Sequence, residues 1–281
     1  MPTWDTVTIV GVGLIGGSIG LALQRRKLAR QVVGVGRRNS SLQKARQCGT
    51  VTATTTSLRK GVKEARLMVI CTPVEQIAEH ALEAAAHCPE GALITDAGST
   101  KQAVVEAVMK SLPERARFVG SHPLAGSEKA GPQNAQADLF EGRTVVMTPV
   151  KENHAEELAE TERFWESLGA RVIRQTPAAH DQAVATTSHL THLIASSLAA
   201  ATPRSELPLV ASGWLDTTRV AAGDVELWRQ ILSDNRHHVR KSLTGFEKLL
   251  GQFRTALENN DQNTLRKLLE TGKQHRDSVG S

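Results

Sequence analysis

The chain has 281 residues, of which 40% are hydrophobic and 22% are charged, and this is typical of one large globular domain or two modest ones. Its net charge of +5 is dispersed and is not interleaved with aromatic residues, so we expect an anionic small molecule as a partner and no nucleic acid. No apolar run is long enough to cross a bilayer, and a strand pattern begins too soon after the first residue to leave room for a signal peptide. We therefore expect a cytoplasmic protein with no membrane contact.

The residue types also limit the core and the kinds of site. Aromatic residues make up 3% of the chain and Tyr is absent, so the core must consist of Val, Leu, Ile and Ala, which favours helices packed on parallel strands. The three cysteines, Cys48, Cys71 and Cys88, are too widely spaced to form a metal-ligand pair or a redox pair. The sequence thus predicts reduced thiols and no bound metal.

A glycine-rich motif follows the first predicted strand. Residues 6–10 are all β-branched and three of them are apolar, residues 11–16 have the pattern G-x-G-x-x-G, and helical spacing begins at Ile19. Such glycines permit a tight turn and the close approach of a pyrophosphate, which lies at the N-terminus of the following helix. A purely structural glycine turn is the alternative, but the strand before the motif and the helix after it favour dinucleotide binding. The residues predicted to bind the cofactor here are Gly11, Gly13, Leu14, Ile15 and Gly16.

Strand and helix patterns alternate as far as residue 176. Buried-strand runs at residues 66–71 and 93–95 are each followed by a turn and then by a helical pattern. This α/β alternation predicts a Rossmann-like, mostly parallel sheet, in which ligands bind beyond the carboxyl ends of the strands. We expect the side chains at these ends to lie along one edge of the sheet. They are Thr72 and Pro73, predicted to contact the cofactor, and Ser99 and His122.

His122 lies in a glycine-rich stretch, residues 120–131, between the apolar runs 118–119 and 145–147. We interpret this stretch as a long connection at the end of a strand. Histidine is the side chain best suited to exchange a proton near neutral pH, and Pro123 stiffens the backbone beside it. The alternative is a solvated histidine in a surface loop, and the convergence of strand ends favours a functional one.

The residues after the second predicted strand bear on which dinucleotide is bound. In NAD-preferring folds an acidic residue about 20 positions past the glycine motif binds the ribose 2′-hydroxyl, and here that position holds Gly36. Arg37, Arg38 and Ser40 follow, and a guanidinium can bind a 2′-phosphate through paired hydrogen bonds. The sequence therefore favours NADP over NAD. The alternative is that the arginines are solvated turn residues and that NAD is still accepted.

After Pro177 the strand patterns stop and helix-forming residues dominate. We place a domain boundary at this change of composition, with a dinucleotide-binding domain at residues 1–176 and an all-helical substrate and dimerisation domain at residues 177–281. An alanine-rich helical half with one small core often gains burial by pairing with a second copy. We therefore expect a homodimer.

Two pairs of polar residues in the helical half suggest a site. His189 and His192 are three apart on one predicted helix face, but a third metal ligand is lacking, and one of them can equally be a buried core histidine. Asp216 and Arg219 are also three apart. The arginine can form a surface ion pair or bind a substrate carboxylate.

Taken together, these motifs resemble the prephenate/arogenate dehydrogenase family of tyrosine biosynthesis. The matching segments cover nearly the whole chain and are residues 11–18, 96–101, 122–131, 188–192 and 216–219, with Trp228. Residues 122–131, which begin His-Pro-Leu-Ala-Gly-Ser-Glu-Lys, are the most specific match, and the glycine loop is the least specific. The resemblance implies a dinucleotide-binding domain, a helical dimerisation domain, and the oxidative decarboxylation of prephenate to 4-hydroxyphenylpyruvate or of arogenate to tyrosine.

The resemblance also implies roles for single residues. His122 matches the family's catalytic base, Ser99 matches its hydroxyl-binding partner, and Arg219 matches the residue that anchors a substrate carboxylate. The remaining substrate-side residues that it implies are His192, Ser127, Glu128 and Asp216.

Two other functions are compatible with the same motifs. A 3-hydroxy acid or 6-phosphogluconate dehydrogenase of this architecture would use a lysine base in the helical half, and residues 178–201 contain no lysine. A regulator that senses NAD(P) without turnover would leave His122, Ser99 and Arg219 incidental. The choice between prephenate and arogenate stays open, because the two differ at one side-chain carbon.

Overall fold

The computed structural model describes residues 3–126 and 129–280, and within them the chain forms eight strands and twelve α-helices. The strands are β1 (Trp4–Val10), β2 (Ala29–Val35), β3 (Ala53–Thr55), β4 (Leu67–Ile70), β5 (Ala92–Asp96), β6 (Ala116–Pro123), β7 (Thr144–Thr148) and β8 (Arg171–Arg174). The helices are α1 (Leu14–Arg25), α2 (Asn39–Gln47), α3 (Leu58–Val62), α4 (Val74–His87), α5 (Gln102–Ser111), α6 (Ala155–Ser167), α7 (Pro177–Val184), α8 (Leu190–Ala201), α9 (Ser212–Thr218), α10 (Val225–Asp234), α11 (Arg236–Glu258) and α12 (Gln262–Asp277).

The strands form one sheet in the order β3-β2-β1-β4-β5-β6-β7-β8. Strands β1 to β6 pair in parallel, β7 runs antiparallel to β6, and β8 is parallel to β7. The strand order reverses between β1 and β4, and ligands of such sheets bind beyond the carboxyl ends of the strands at this reversal. The predicted fold class, a Rossmann-like sheet with helices followed by a helical part, is confirmed.

Two apolar layers cover the faces of the sheet. On one face α1 and α6 contribute Ile19, Leu23 and Trp165, all fully buried. On the other face α4 and α5 contribute Ile77 and Val105. Each apolar side chain of this size contributes about 1.5–3 kcal/mol by leaving water. The strand ends that carry the candidate site are therefore part of a well-packed framework.

Strand β6 is longer than the sequence predicts. Its pairing with β5 ends at Val119, but the strand continues through Pro123 because β7 pairs antiparallel with its last residues, and His122 lies opposite Val146. The prediction that His122 lies in a connecting loop is therefore wrong. It lies on a strand, beyond the level at which pairing with β5 stops.

The helix predicted over residues 178–201 is interrupted. Helices α7 and α8 are joined by a π-helical turn, Ala185–His189. A π turn spans one residue more than an α turn, so it rotates all side chains that follow it relative to those before it.

The chain divides into two compact units, the first ending at Asn235 and the second beginning at Arg236. The second unit consists of α11 and α12, and Asp261 caps α12 by accepting a hydrogen bond from the backbone N–H of Thr264 at 3.0 Å. The predicted domain boundary at residues 176 and 177 lies within the first unit, just after β8, and it stays a prediction. Among the described residues, the helices lack the length and apolar character needed to cross a membrane.

Candidate active site

The glycine loop between β1 and α1 has the geometry that a pyrophosphate site requires. Gly11 has a φ of +96°, and a Cβ atom there would lie 2.6 Å from the carbonyl oxygen of Cys71. Gly13 is the N-cap of α1, and a Cβ atom there would meet nothing within 4 Å. The first turn, which holds Leu14, Ile15 and Gly16, carries no acidic side chain. Its uncapped amides beside open space suit an anionic group, so the loop fits a dinucleotide.

The loop after β2 carries the residues predicted to select the cofactor. Val35 at the end of β2 is paired with Val10 at the end of β1, so this loop leaves the sheet at the same edge as the glycine loop. Arg38 is the N-cap of α2, whose first turn contains no acidic residue. Arg37, Arg38 and Ser40 are all exposed. Basic groups and an uncapped helix N-terminus thus lie together at this edge.

Thr72 and Pro73 lie on the other side of the glycine loop. They follow β4, whose last residue, Ile70, is paired with Val10. Pro73 is the N-cap of α4, and Oγ1 of Thr72 lies 3.1 Å from Nδ1 of His80 on the same helix. The three predicted cofactor segments are therefore brought to one edge of the sheet.

His122 is connected to two residues that the sequence did not single out. Its Nδ1 lies 2.8 Å from Nε2 of His180, and Nδ1 of His180 lies 2.8 Å from Oδ1 of Asp181. Both partners are on α7 and are buried. The two imidazole rings meet edge to face at an interplanar angle of 76°. A line of hydrogen bonds thus runs from the strand edge to a carboxylate in the helical part.

Asp181 ties α7 to α5. Its Oδ1 accepts a hydrogen bond from the backbone N–H of Lys101 at 2.8 Å, and its Oδ2 accepts one from Gln102 at 2.9 Å. Lys101 is the N-cap of α5, but its side chain does not cap the helix. Asp181 on α7 provides the cap instead. Burial alone would raise the pKa of Asp181, but hydrogen bonds from His180 and from these amides outweigh burial and hold the pKa below its ordinary value.

A buried ion pair braces the loop between β5 and α5. Nζ of Lys101 contacts Oδ2 of Asp96, and both side chains are fully buried. Asp96 also accepts hydrogen bonds from the backbone N–H groups of Gly98 at 2.8 Å and Ser121 at 3.0 Å. Ser99 lies in this loop and is partly buried. The ion pair therefore fixes the loop that carries Ser99 and joins it to β6 beside His122.

The surroundings of His122 favour its neutral form. Burial lowers the pKa of His122 well below its ordinary value of 6.5, and three neighbouring groups add to this effect. They are His180 on α7, Lys101 at the start of α5, and His189 in the π turn. His122 is therefore neutral at physiological pH, and a neutral imidazole can accept a proton.

In the helical part, two histidines lie against Trp228, and an asparagine contacts one of the two. His192 stacks on Trp228 with ring centroids 3.7 Å apart, and His189 lies edge-on to the same ring. Nδ2 of Asn235 donates a hydrogen bond to the carbonyl oxygen of Asp181 at 2.7 Å and lies 3.2 Å from Nδ1 of His189. Burial lowers the pKa of His189 to about 4. His189 is therefore a buried core histidine, one of the two interpretations that the sequence allows.

The predicted carboxylate anchor lies in a segment that contacts α8. Arg219 begins a 3₁₀ turn, Arg219–Ala222, that packs against α8, and His192 of α8 forms a hydrogen bond with the backbone of Val220 in this turn. Asp216 lies on α9, and both Asp216 and Arg219 are exposed. The predicted residues Ser127 and Glu128 lie outside the described residues. Where the structure is described, no three His, Cys, Asp or Glu side chains form a group that could hold a metal ion.

Known proteins resemble this chain in both sequence and structure. Its residues 19–174 match the family model "Prephenate dehydrogenase, nucleotide-binding domain", and residues 176–271 match "Prephenate dehydrogenase, dimerization domain". The prephenate dehydrogenase of Bacillus subtilis is 34% identical over 98% of this chain and 76% of its own length.

Two solved structures show the same similarity. The prephenate dehydrogenase of A. aeolicus, in complex with hydroxyphenyl propionate and NAD+, superposes with a TM-score of 0.90 at 31% identity, covering 98% of each chain. Synechocystis arogenate dehydrogenase gives a TM-score of 0.81 at 31% identity, covering 98% of this chain and 99% of its own. Because the two family models together cover most of the chain, and the identity to these relatives extends over nearly its full length, this chain belongs to the prephenate dehydrogenase family.

Proposed function

We propose that this chain oxidises and decarboxylates prephenate to 4-hydroxyphenylpyruvate in tyrosine biosynthesis, with a nicotinamide dinucleotide as the hydride acceptor. The observation that carries the proposal is the position of His122 at the sheet edge where the glycine loop also ends, with one ring nitrogen bonded to His180. The B. subtilis relative, named as a prephenate dehydrogenase, supports prephenate as the substrate.

The reaction requires a base and two oriented reactants. Nε2 of His122 accepts the proton of the ring hydroxyl while the carbon that bears this hydroxyl loses hydride. The nicotinamide ring of a bound dinucleotide would accept this hydride. The ketone so formed allows the bond between the ring and its carboxylate to break. Carbon dioxide leaves, and the released electron pair completes the aromatic ring while the ketone oxygen becomes a phenolate, which takes a proton back from His122 to give the hydroxyl group of the product. Aromatisation makes the step effectively irreversible, so orientation is the main task of the chain.

We assign the substrate contacts to residues at the edge of the sheet and in the helical part that follows it. Ser99 binds the ring hydroxyl beside His122, and Arg219 binds a carboxylate through paired hydrogen bonds. Nδ1 of His192 is buried and has no hydrogen-bond partner among the described residues, which suits it to a polar group of the substrate. The remaining proposed substrate-side residues are Ser127, Glu128 and Asp216.

We further propose that NADP is preferred over NAD. Arg37 and Arg38 are exposed directly after Gly36, the position at which an NAD-preferring chain would carry an acid, and the uncapped N-terminus of α2 adds favourable polarity for a 2′-phosphate. The glycine loop together with Thr72 and Pro73 completes the proposed cofactor site. Because the A. aeolicus relative was solved with NAD+, both dinucleotides belong in the test.

Cofactor reduction by the purified full chain tests these proposals. We expect the absorbance of the reduced nicotinamide to rise when prephenate is added, with a larger kcat/KM for NADP+ than for NAD+. Arogenate assayed in parallel tests the activity for which the Synechocystis relative is named. Dinucleotide binding without turnover of either substrate would indicate a sensor and overturn the enzymatic proposal. A preference for NAD+ that neither Arg37→Ala nor Arg38→Ala changes would overturn the cofactor assignment.

We also propose that the chain acts in the cytoplasm as a homodimer formed by its helical part. The family model that matches residues 176–271 describes a dimerization domain. In the described part of the chain, all exposed large hydrophobic side chains except Leu124 lie beyond residue 197. Exposed apolar surface that is concentrated in this way is typical of an interface.

A further inference from the structure

We infer that His180 and Asp181 are positioning residues that hold His122 in one tautomer, with the proton on Nδ1 and the lone pair on Nε2. The inference rests on the proposed role of His122 as the base, and it names the residues that prepare that base.

Asp181 can act only as an acceptor. Two of its partners are the backbone N–H groups of Lys101 and Gln102, at 2.8 and 2.9 Å, and these groups can only donate. Its third partner is Nδ1 of His180, 2.8 Å from Oδ1. An ionised carboxylate has no proton to give, so His180 must carry its own proton on Nδ1. The lowered pKa of Asp181 keeps the carboxylate ionised at neutral pH.

The proton on Nδ1 of His180 determines the next hydrogen bond. With this one proton on its ring, His180 has its lone pair on Nε2, and this atom lies 2.8 Å from Nδ1 of His122. His122 then donates from Nδ1, which leaves the lone pair on its Nε2. In the Ser-His-Asp triad a carboxylate likewise holds a histidine in one tautomer. Here a second imidazole, that of His180, lies between the carboxylate and the base.

The two positioning residues are themselves held by the fold. The carbonyl oxygen of Asp181 accepts a hydrogen bond from Nδ2 of Asn235 at 2.7 Å, and the backbone N–H of His180 donates to the carbonyl oxygen of Thr176 at 2.9 Å. Both side chains are at least nine-tenths buried. The base on β6 is thus backed by a helix whose position is fixed, and its ring need not reorient before each proton transfer.

The same arrangement favours the protonated product of the transfer. When Nε2 of His122 takes up the substrate proton, both of its nitrogens become donors, and Nδ1 keeps its bond to His180. The positive charge that forms on His122 then lies in line with the carboxylate of Asp181, which stabilises it. Lys101 and His189, the other groups that lower the pKa of His122, oppose its protonation in the resting state.

Nuclear magnetic resonance of the full chain, labelled with ¹⁵N in its histidine rings, reads the tautomer directly. The signals of His122 are identified by their loss in His122→Asn. We expect a protonated Nδ1 and an unprotonated Nε2. A protonated Nε2 with a bare Nδ1 would overturn the inference. The measurement needs no turnover, so its result is independent of whether the chain oxidises prephenate.

Two substitutions of His180 separate tautomer control from packing. His180→Phe keeps a ring but removes the acceptor, whereas His180→Gln keeps an oxygen that can accept from Nδ1 of His122. We expect His180→Phe to lower kcat by roughly 10²-fold or more, because a wrong tautomer costs about 10⁴ in the triad. The KM for prephenate and the dissociation constant of the dinucleotide should stay close to those of the wild type, and His180→Gln should recover part of the lost kcat.

His154→Phe is the matched control. This histidine is exposed at the start of α6 and should tolerate the change with wild-type kcat. A wild-type kcat in His180→Phe, or equal losses in His180→Phe and His180→Gln, would show that His180 only fills space. If circular dichroism shows that His180→Phe does not fold, the tautomer measured in the wild type decides the matter.

Discussion

A single histidine carries the proposed proton transfer, and its surroundings predict how activity depends on pH. Burial and the neighbouring His180, Lys101 and His189 lower the pKa of His122 well below 6.5. A base with a lowered pKa stays unprotonated until the pH falls through that lowered value. Because kcat/KM reports the pKa values of the free enzyme, we expect kcat/KM for prephenate to hold constant as the pH falls past 6.5 and to drop only in more acidic buffer. An acidic limb centred at or above the ordinary histidine value would contradict this.

Replacement of the base isolates its contribution. His122→Asn retains a polar side chain that cannot accept a proton near neutral pH, so kcat should fall by roughly 10²–10⁴-fold. Because the glycine loop is unchanged, the dissociation constant of the dinucleotide should not move. His154→Asn provides the control at an exposed position and should keep wild-type turnover. Near wild-type turnover in His122→Asn would remove this residue from the proposed mechanism.

The proposed carboxylate anchor predicts a different kinetic signature. Arg219→Ala removes a planar, two-pronged donor, so the KM for prephenate should rise far more than the dissociation constant of the dinucleotide. Steady-state kinetics of the variant beside Arg204→Ala, an exposed arginine in the same half of the chain, measures this. An unchanged KM would favour a surface ion pair for Arg219.

At the scale of elements, the N-terminal N–H groups of helix α5 are capped by Asp181, a residue of α7. Asp181→Ala removes the acceptor of two backbone N–H groups and should lower the free energy of unfolding by about 0.5–2 kcal/mol, as the loss of a cap does. The folded-state pKa of Asp181 lies below its ordinary 3.8, so its contribution is present above that value and is lost as the pH falls through the folded-state pKa.

Urea unfolding at several pH values measures this contribution. The difference between wild type and Asp181→Ala should be constant near neutral pH and should shrink in buffers more acidic than the ordinary pKa of 3.8. Asp138→Ala, at an exposed position, should differ little from the wild type throughout. A difference for Asp181→Ala that persists undiminished in strong acid would assign the loss to packing.

The sequence predicts an element well when residues close to it in the chain determine it, and poorly when distant residues do. Neighbouring residues determine the glycine loop and the alternating strands and mark His122 as a candidate base, so the sequence predicts all three. Asp181 caps α5 across 79 positions of sequence, and no local pattern marks such a contact. The length of β6 likewise depends on its pairing with β7.

The π turn is a second feature without a local signal. In an uninterrupted α-helix, His180 and His192 would lie about 120° apart around the axis, at about 100° per residue. The turn at Ala185–His189 absorbs one extra residue and reduces this angle to about 20°. The positioning histidine and the proposed substrate histidine therefore share a helix face, although the spacing of the two residues predicts otherwise.

At the scale of the whole molecule, the concentration of exposed leucines in the helical part predicts self-association. Sedimentation velocity at micromolar concentration should give a species of twice the 30.3 kDa of one chain. Leu250→Glu on α11 should weaken it, because a buried leucine contributes about 1.5–3 kcal/mol and each 1.4 kcal/mol is about a factor of ten in the dissociation constant. Leu124→Glu, at a similarly exposed position outside the helical part, should leave the mass unchanged. A wild-type chain that sediments only as a monomer would refute the homodimer.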